Sequence, residues 1–405
     1  MKVVYASSAC SKRRFFELFP SKERMPGQQV QKYHRLMLEG LCRNCIPVIA
    51  LTSPPITRKN HRAGVSKVQP DNEEGVDYRY LTVLNYPVIK NMAILVQSFA
   101  KTCGYLHSSK DAVVICDVLN FSVATGALLA AKLFRRTNTG IVTDIPSLLS
   151  ENPNPLITRA ITFAMMRYDS YVFLTREMEF LINRRGVPCL VIEGQVDINM
   201  QDRPNETALK HRERVCLYAG AVDKRYGLEA LVLGFLKAQT PDCELHIYGI
   251  GDYAQTLKGI AQRESRVKYL GPVPNDRVIE EQLRATLLIN PRPTTEEFTK
   301  YSFPSKNMEY MASGTPMLTT FLPGMPEEYL PHVYILRDET SEGIAAAIDA
   351  LFSLDARELH LKGRNAKEYV LQQKNNVIQA RRVLELLACC GVRATKGGGG
   401  SGDAN

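Results

Sequence analysis

Short, apolar, often β-branched runs alternate with longer stretches of helical periodicity along nearly the whole chain. In the first half, residues 3–5, 47–51, 112–116, 140–143, 170–174 and 189–192 read as buried strands, and residues 28–41, 89–106, 122–134, 157–168 and 177–185 as helices. Residues 6–27 read as a long loop, the polar stretch 52–77 with its Pro54-Pro55 pair as a mobile loop, and residues 80–86 as extended. The alternation breaks after Glu193-Gly-Gln-Val-Asp197, where residues 197–212 turn polar. It then restarts: strands over 215–219, 244–248, 267–270, 287–290 and 315–320, helices over 228–238, 252–262, 278–285, 344–354, 356–372 and 377–387. Strands separated by helices predict parallel, doubly wound sheets. The break predicts a domain of residues 1–197 and a second of 198–374. A last helix (375–392) and a flexible Gly-rich tail (393–405) follow them.

The segment Tyr301-Ser-Phe-Pro-Ser-Lys-Asn-Met-Glu-Tyr-Met-Ala-Ser-Gly-Thr-Pro316 is the most informative in the chain. Pro304 suits a first helical position, and Gly314 and Pro316 stop the helix about ten residues later. Ser302, Ser305 and Lys306 crowd its start, where unpaired amides and the helix dipole favour a phosphate. Glu309, four residues past Ser305, shares that face roughly 6 Å along the axis. That offset matches a nucleotide's phosphate and ribose, and a carboxylate there can accept from both ribose hydroxyls. The competing reading is an ordinary amphipathic helix with Met308, Met311 and Ala312 in the core and Glu309 in solvent. The strand 315–320 and the loop 323–328 after it weigh against that, because they place this helix at the carboxyl edge of a sheet.

Three further loops follow predicted strands of the second half. Gly220-Ala-Val-Asp-Lys-Arg-Tyr-Gly227 offers a glycine for close backbone approach, with Lys224 and Arg225 as charge. Gly249-Ile-Gly251 lacks the third glycine of a dinucleotide fingerprint. Asn290-Pro-Arg-Pro293 contributes Arg292. In the first half Gly27 precedes a helix and Asp144 follows a strand, which makes both candidates for an acceptor-side cleft. An Asp in that place also serves as a turn cap. His34 and His107 sit in helical or capping contexts and read as structural.

Composition changes the picture in two ways. A chain of 405 residues with 45% hydrophobic content is long enough for two cores, and no apolar run is long enough to span a bilayer. The net charge of +9 is lopsided: residues 1–197 hold 25 Lys and Arg against 16 Asp and Glu, and the remainder holds 26 of each. The basic half, with Lys12-Arg-Arg-Phe-Phe16, Phe19, Lys22 and Arg24, suits an anionic membrane surface or, equally, a solvated face over core phenylalanines. No nucleic-acid motif is present. Ten cysteines without a signal peptide point to a reducing cytoplasm, and the lone Cys42/Cys45 pair lacks the second pair a zinc site needs. No metal and no cofactor is expected.

These residues resemble the family-4 glycosyltransferases of the GT-B fold, most specifically in 301–316 and in outline over 1–392; the bacterial capsule and exopolysaccharide enzymes are the nearest in kind. The resemblance implies two Rossmann-like domains facing across a cleft, with a final helix crossing back onto the first. It implies retaining transfer, without a catalytic metal, from a nucleotide sugar (UDP- or GDP-linked) to a glycan or lipid-linked acceptor, in a cytoplasmic protein peripheral to the inner membrane face. Glu309 then holds the donor ribose, and Gly220, Gly249, Arg292, Glu297, Ser302, Phe303, Pro304 and Ser305 line the donor. Lys224, Arg225 and Lys306, which with Glu309 form the catalytic set, stabilise the charge on the departing diphosphate. Two family positions differ: Ala221 stands where an arginine is usual, and Tyr301 where a glutamate is usual, with Glu296 and Glu297 nearby as substitutes. A non-catalytic nucleotide- or membrane-binding scaffold and a nucleotide-sugar 2-epimerase are the alternatives. An oxidoreductase is the weakest reading, since no complete GxGxxG is present.

Overall fold

The computed structural model of the protein describes residues 1–20, 25–86, 89–145 and 155–396. Lys22, Arg24, the end of the loop after Asp144 and the Gly-rich tail from Gly397 lie outside the described residues. The chain divides into two compact units, Met1–Glu193 with Asn376–Asn405, and Gly194–Asn375.

The first unit runs β1 (Lys2–Ser7), α1 (Lys12–Leu18), α2 (Gln28–Arg43), β2 (Val48–Thr52), β3 (Val65–Ser66), β4 (Asp71–Glu73), β5 (Val76–Tyr80), β6 (Val83–Leu84), α3 (Ile89–Ser108), β7 (Ala112–Asp117), α4 (Phe121–Leu133), β8 (Asn138–Val142), α5 (Pro155–Met165), β9 (Ser170–Phe173), α6 (Arg176–Ile182) and β10 (Cys189–Val191). Its sheet has the order β10-β9-β8-β7-β1-β2-β5-β4. Every pairing is parallel except β4 with β5. The central strands are buried on both faces, which explains why they read as unbroken apolar runs rather than alternating ones.

Two expectations fail here. Residues 12–18 form a helix, not a loop: the Ser11 hydroxyl accepts from the Arg14 amide, and the Glu73 carboxylate accepts from the amides of Lys12 (2.5 Å) and Arg13 (3.2 Å). That carboxylate comes from within the stretch expected to be a mobile loop, which instead contains β3, β4 and the start of β5. Asp71 fixes the same junction by accepting from the hydroxyls of Ser11 (2.7 Å) and Tyr80 (3.0 Å). Phe15 and Phe19 are core residues, and Phe16 alone of the three is exposed.

The second unit contains β11 (Arg214–Ala219), α7 (Leu228–Lys237), β12 (Cys243–Tyr248), α8 (Ala254–Arg263), β13 (Val267–Gly271), α9 (Asn275–Arg284), β14 (Leu287–Asn290), α10 (Ser305–Ser313), β15 (Met317–Thr320), β16 (Tyr334–Leu336), α11 (Ser341–Phe352) and α12 (Ala356–Gln373). All five pairings of its sheet are parallel, in the order β13-β12-β11-β14-β15-β16, the doubly wound arrangement of dinucleotide-binding folds. β16 is only three residues long and left no mark in the sequence pattern.

The last helix, α13 (Asn376–Lys396), belongs to the first unit. Ala380, Val383 and Leu387 join the core formed by Met37, Leu38 and Leu41 of α2, and burial of Val383 and Leu387 contributes roughly 1.5–3 kcal/mol each. The helices touch at Gly40, where a Cβ would stand 2.1 Å from the Asn376 carbonyl oxygen.

Candidate functional site

Strand order in the second unit reverses between β11 and β14. Open α/β sheets bind ligands beyond the carboxyl ends of the strands at such a reversal. Gly220 leaves β11 there, Pro291-Arg292 leave β14, and α10 begins after a short helical turn, Glu297–Tyr301. Two buried polar links fix the start of α10 at this point. The Ala219 amide donates to the Tyr310 hydroxyl (2.8 Å), and Asn290 Nδ2 donates to Asn307 Oδ1 (2.7 Å).

Glycine is required in the loops. Gly249 adopts φ +133°, and a Cβ on it would lie 1.8 Å from the Gly220 carbonyl oxygen, so the loops after β11 and β12 pass backbone against backbone. A Cβ on Gly220 would lie 2.4 Å from Lys306 Nζ. The missing side chain is what lets Lys306 lie across the end of β11.

Lys306 Nζ stands 3.8 Å from the centroid of the Tyr218 ring. Arg292 stacks its guanidinium 4.9 Å from Tyr226 and 5.6 Å from Phe298, and its Nη1 reaches Ser302 Oγ at 3.4 Å. Its Nε is buried without a hydrogen-bond partner. Among the described residues neither cation has a carboxylate within 4 Å. Lys306 keeps some accessible surface along its chain, yet its ammonium is enclosed: burial, then the Arg292 charge, drives its pKa well below the usual lysine range, against an upward pull from Glu309. Burial also lowers Arg292. Charges held in this way, with aromatic faces but no counter-ion, leave an outstanding demand for an anion.

The remaining candidates fall into place around this pair. α10 ends at Gly314 with φ +79°, as its sequence predicts, but Pro304 is the N-cap rather than the first helical residue, and no side chain caps the helix start. Ser305 is exposed there; Phe303 and Pro304 are buried, with Phe303 5.1 Å from the Tyr329 ring. Glu309 is partly exposed, one turn beyond Lys306. Lys224 and Arg225 are exposed and already paired, with Glu229 (2.6 Å) and Asp223 (3.2 Å). Glu297 is exposed, and Glu296 and Tyr301 are partly buried. In the first unit Gly27 caps α2 in open space, where a Cβ would meet no atom within 4 Å. Asp144 accepts from the Ile145 amide (2.8 Å), and burial raises its carboxyl pKa.

Sequence reading missed the reversal point of the first sheet, between β1 and β7. The Tyr5 hydroxyl meets His34 Nδ1 there at 2.7 Å, and His34 Nε2 lies 3.4 Å from Asp117, all three buried. A strand ending in Asp was the available signal. Elsewhere His211, His246 and Glu281 bring donor atoms within 4.8 Å of one another, a set able to hold a metal ion, although Glu281 already binds His211 (3.0 Å) and Arg277 (2.6 Å).

Similar proteins define the class. The chain aligns along 96% of its length with all of the Anabaena protein HepE in complex with UDP and glucose (16% identity, TM-score 0.64). It covers sucrose-phosphate synthase from Thermosynechococcus elongatus to the same extent (16%, 0.62), and 98% of a glycosyltransferase from Rickettsia africae (13%, 0.68). The fold is therefore GT-B. Residues 199–369 match the family described as glycosyl transferases group 1, so the second unit carries a glycosyltransferase group 1 domain. No curated protein sequence matches the chain.

Proposed function

We propose that the protein is a retaining, metal-independent glycosyltransferase of cell-surface glycan synthesis, moving a hexose from a UDP- or GDP-sugar to a lipid-linked or polysaccharide acceptor. The observation that carries this reading is the pair of cations without carboxylate partners, Arg292 and Lys306, beside the uncapped start of α10 at the reversal of a doubly wound sheet. A diphosphate answers that demand. Glycosidic bond cleavage leaves an additional negative charge on the departing diphosphate, and fixed cations and amides already in place stabilise it without reorganising. Glu309, one turn along α10, is placed to accept from the donor ribose. Ser302, held by Arg292, and Ser305 border the same space, and Glu296 and Glu297 are the acids available to the sugar hydroxyls. Lys224 and Arg225 would have to exchange their present carboxylate partners for phosphate. The neighbour HepE carries UDP and glucose in its crystal, which favours a UDP-linked donor.

Gly27 and Asp144 are proposed acceptor-side groups. Peripheral attachment to an anionic membrane is supported by the basic first half and by Ile89, Met92 and Val96, exposed along one stripe of α3. Among the described residues no helix is long and apolar enough to cross a membrane. A second reading, nucleotide binding without turnover, is favoured by Ala221 and Tyr301 in place of the usual arginine and glutamate. Melting temperature in the presence of UDP, GDP, ADP and CMP tests the site: one diphosphate should stand out, and a flat response to all four removes the proposal. Donor hydrolysis across a sugar panel then separates the enzyme from the scaffold.

A further inference from the structure

A second cluster of cations lies in the first unit, at the opposite edge of its sheet from the strand carboxyl ends. A cavity of about 430 Å³ opens where α4 ends and where β8, β9 and β10 begin. That is the size of a pocket for a small organic ligand. Four cations line it, Lys132, Arg135, Arg136 and Arg185, against one acid, Asp169; Val187, Pro188 and Cys390 supply apolar wall. Asp169 is already engaged, paired with Lys132 and accepting from Asn138 Nδ2. Among the described residues none of the three arginines has a carboxylate partner. Among the described residues Arg136 buries its Nε without a hydrogen-bond partner, and Arg185 interacts with the Tyr168 carbonyl and the Tyr171 side chain.

The backbone adds an independent sign. The Arg136 amide donates to the Ala131 carbonyl (2.8 Å), closing the end of α4 with Arg135 in the left-handed region at φ +52°. Glycine normally takes that position, since a Cβ there crowds the following carbonyl.

We propose that this cavity binds a phosphate ester, its phosphate held by Arg135, Arg136 and Arg185 and its remaining atoms against the apolar wall. Guanidinium forks suit phosphate oxygens bidentately, and here Arg136 is half-buried while Arg135 and Arg185 are exposed at the cavity mouth. The ester is either a soluble phosphorylated compound or the headgroup of an anionic phospholipid. The site is independent of the donor site in the second unit.

The experiment reads each arginine separately in the full-length protein. Phenylglyoxal modification, mapped by peptide mass spectrometry, should slow at least about fivefold at Arg136 and Arg185 in inorganic phosphate relative to chloride at equal ionic strength. Protection confined to Arg292 overturns the proposal, as does equal modification in both salts. The double variant R136Q/R185Q should bind phosphate at least about tenfold more weakly at this site, the loss expected for removing charge-assisted hydrogen bonds, while retaining nucleotide-induced stabilisation. Flotation with phosphatidylglycerol vesicles identifies the source. Loss of flotation in R136Q/R185Q assigns a lipid headgroup. Unchanged flotation together with arginine protection assigns a soluble ester.

Discussion

Each unit has a sheet whose strand order reverses, and the two reversal points are furnished in opposite ways. In the first unit a basic ring has an acid beside it: the Tyr5 hydroxyl meets His34 Nδ1 at 2.7 Å, and His34 Nε2, buried without a hydrogen-bond partner, lies 3.4 Å from Asp117. In the second, the basic groups of Arg292 and Lys306 are enclosed with no carboxylate within 4 Å among the described residues, and aromatic faces and one serine hydroxyl meet them. Topology therefore supplies a crevice in both places, but among the described residues only the second holds enclosed basic groups with no acid within 4 Å. On the proposed reading that lack, more than the crevice, is what a nucleoside diphosphate would answer.

Four changes break or sharpen this contrast. The largest effect is expected from G249A. Its Cβ has nowhere to go but into the Gly220 backbone, so we expect a stability loss of ~3 kcal/mol or more, the range of severe backbone and packing conflicts, read by urea unfolding. The double variant R292Q/K306M should leave stability near or above wild type, since it removes enclosed charges that lack partners. It should weaken the cognate nucleoside diphosphate ~100-fold or more, as two charged hydrogen bonds at ~1.5–3 kcal/mol each imply; calorimetric titration with affinity intact contradicts the assignment. D117N, at the first unit's reversal point, should do the reverse, costing ~1–3 kcal/mol of stability by unbalancing a buried pair and leaving nucleotide affinity unchanged.

The smallest effect is the pH dependence. Lys306 has a lowered pKa in the free protein, so its neutral fraction grows as pH rises through that value. A bound diphosphate favours the ammonium, so binding takes up a proton and affinity falls with rising pH in that window. Binding enthalpies in two buffers of different ionisation heat report the uptake, and K306M should abolish it. Without ligand the sign for folding is opposite: between the lowered value and the ordinary lysine range the unfolded chain holds the extra proton, so raising pH stabilises the fold.

Much of the architecture was legible because its signals are local. The strand runs are apolar, Gly314 and Pro316 end α10 by their own backbone preferences, and the restart of alternation after residue 212 announces a second sheet. What escaped depends on distant partners. α1 is seven residues long, and its first amides are satisfied by Glu73, about sixty positions away, so neither its own periodicity nor its caps reveal it. β4 hides in a polar stretch because Asp71 and Glu73 serve α1 rather than a core. At the site, Arg292 and Lys306 could be picked out as cations near strand ends. Their lack of carboxylates could not, because it is a property of everything around them. Lys224 and Arg225 looked equivalent in sequence and differ in having acids at hand.

The placement of α13 in the first unit has a consequence for biogenesis. On a ribosome, residues 194–375 can reach their complete set of native neighbours while the earlier-made residues 1–193 still wait for Ala380, Val383 and Leu387. The unit translated second is then the one able to finish first, and the apolar side of α2 stays uncovered until the closing segment leaves the exit tunnel, which makes that interval the protein's most vulnerable to misassembly.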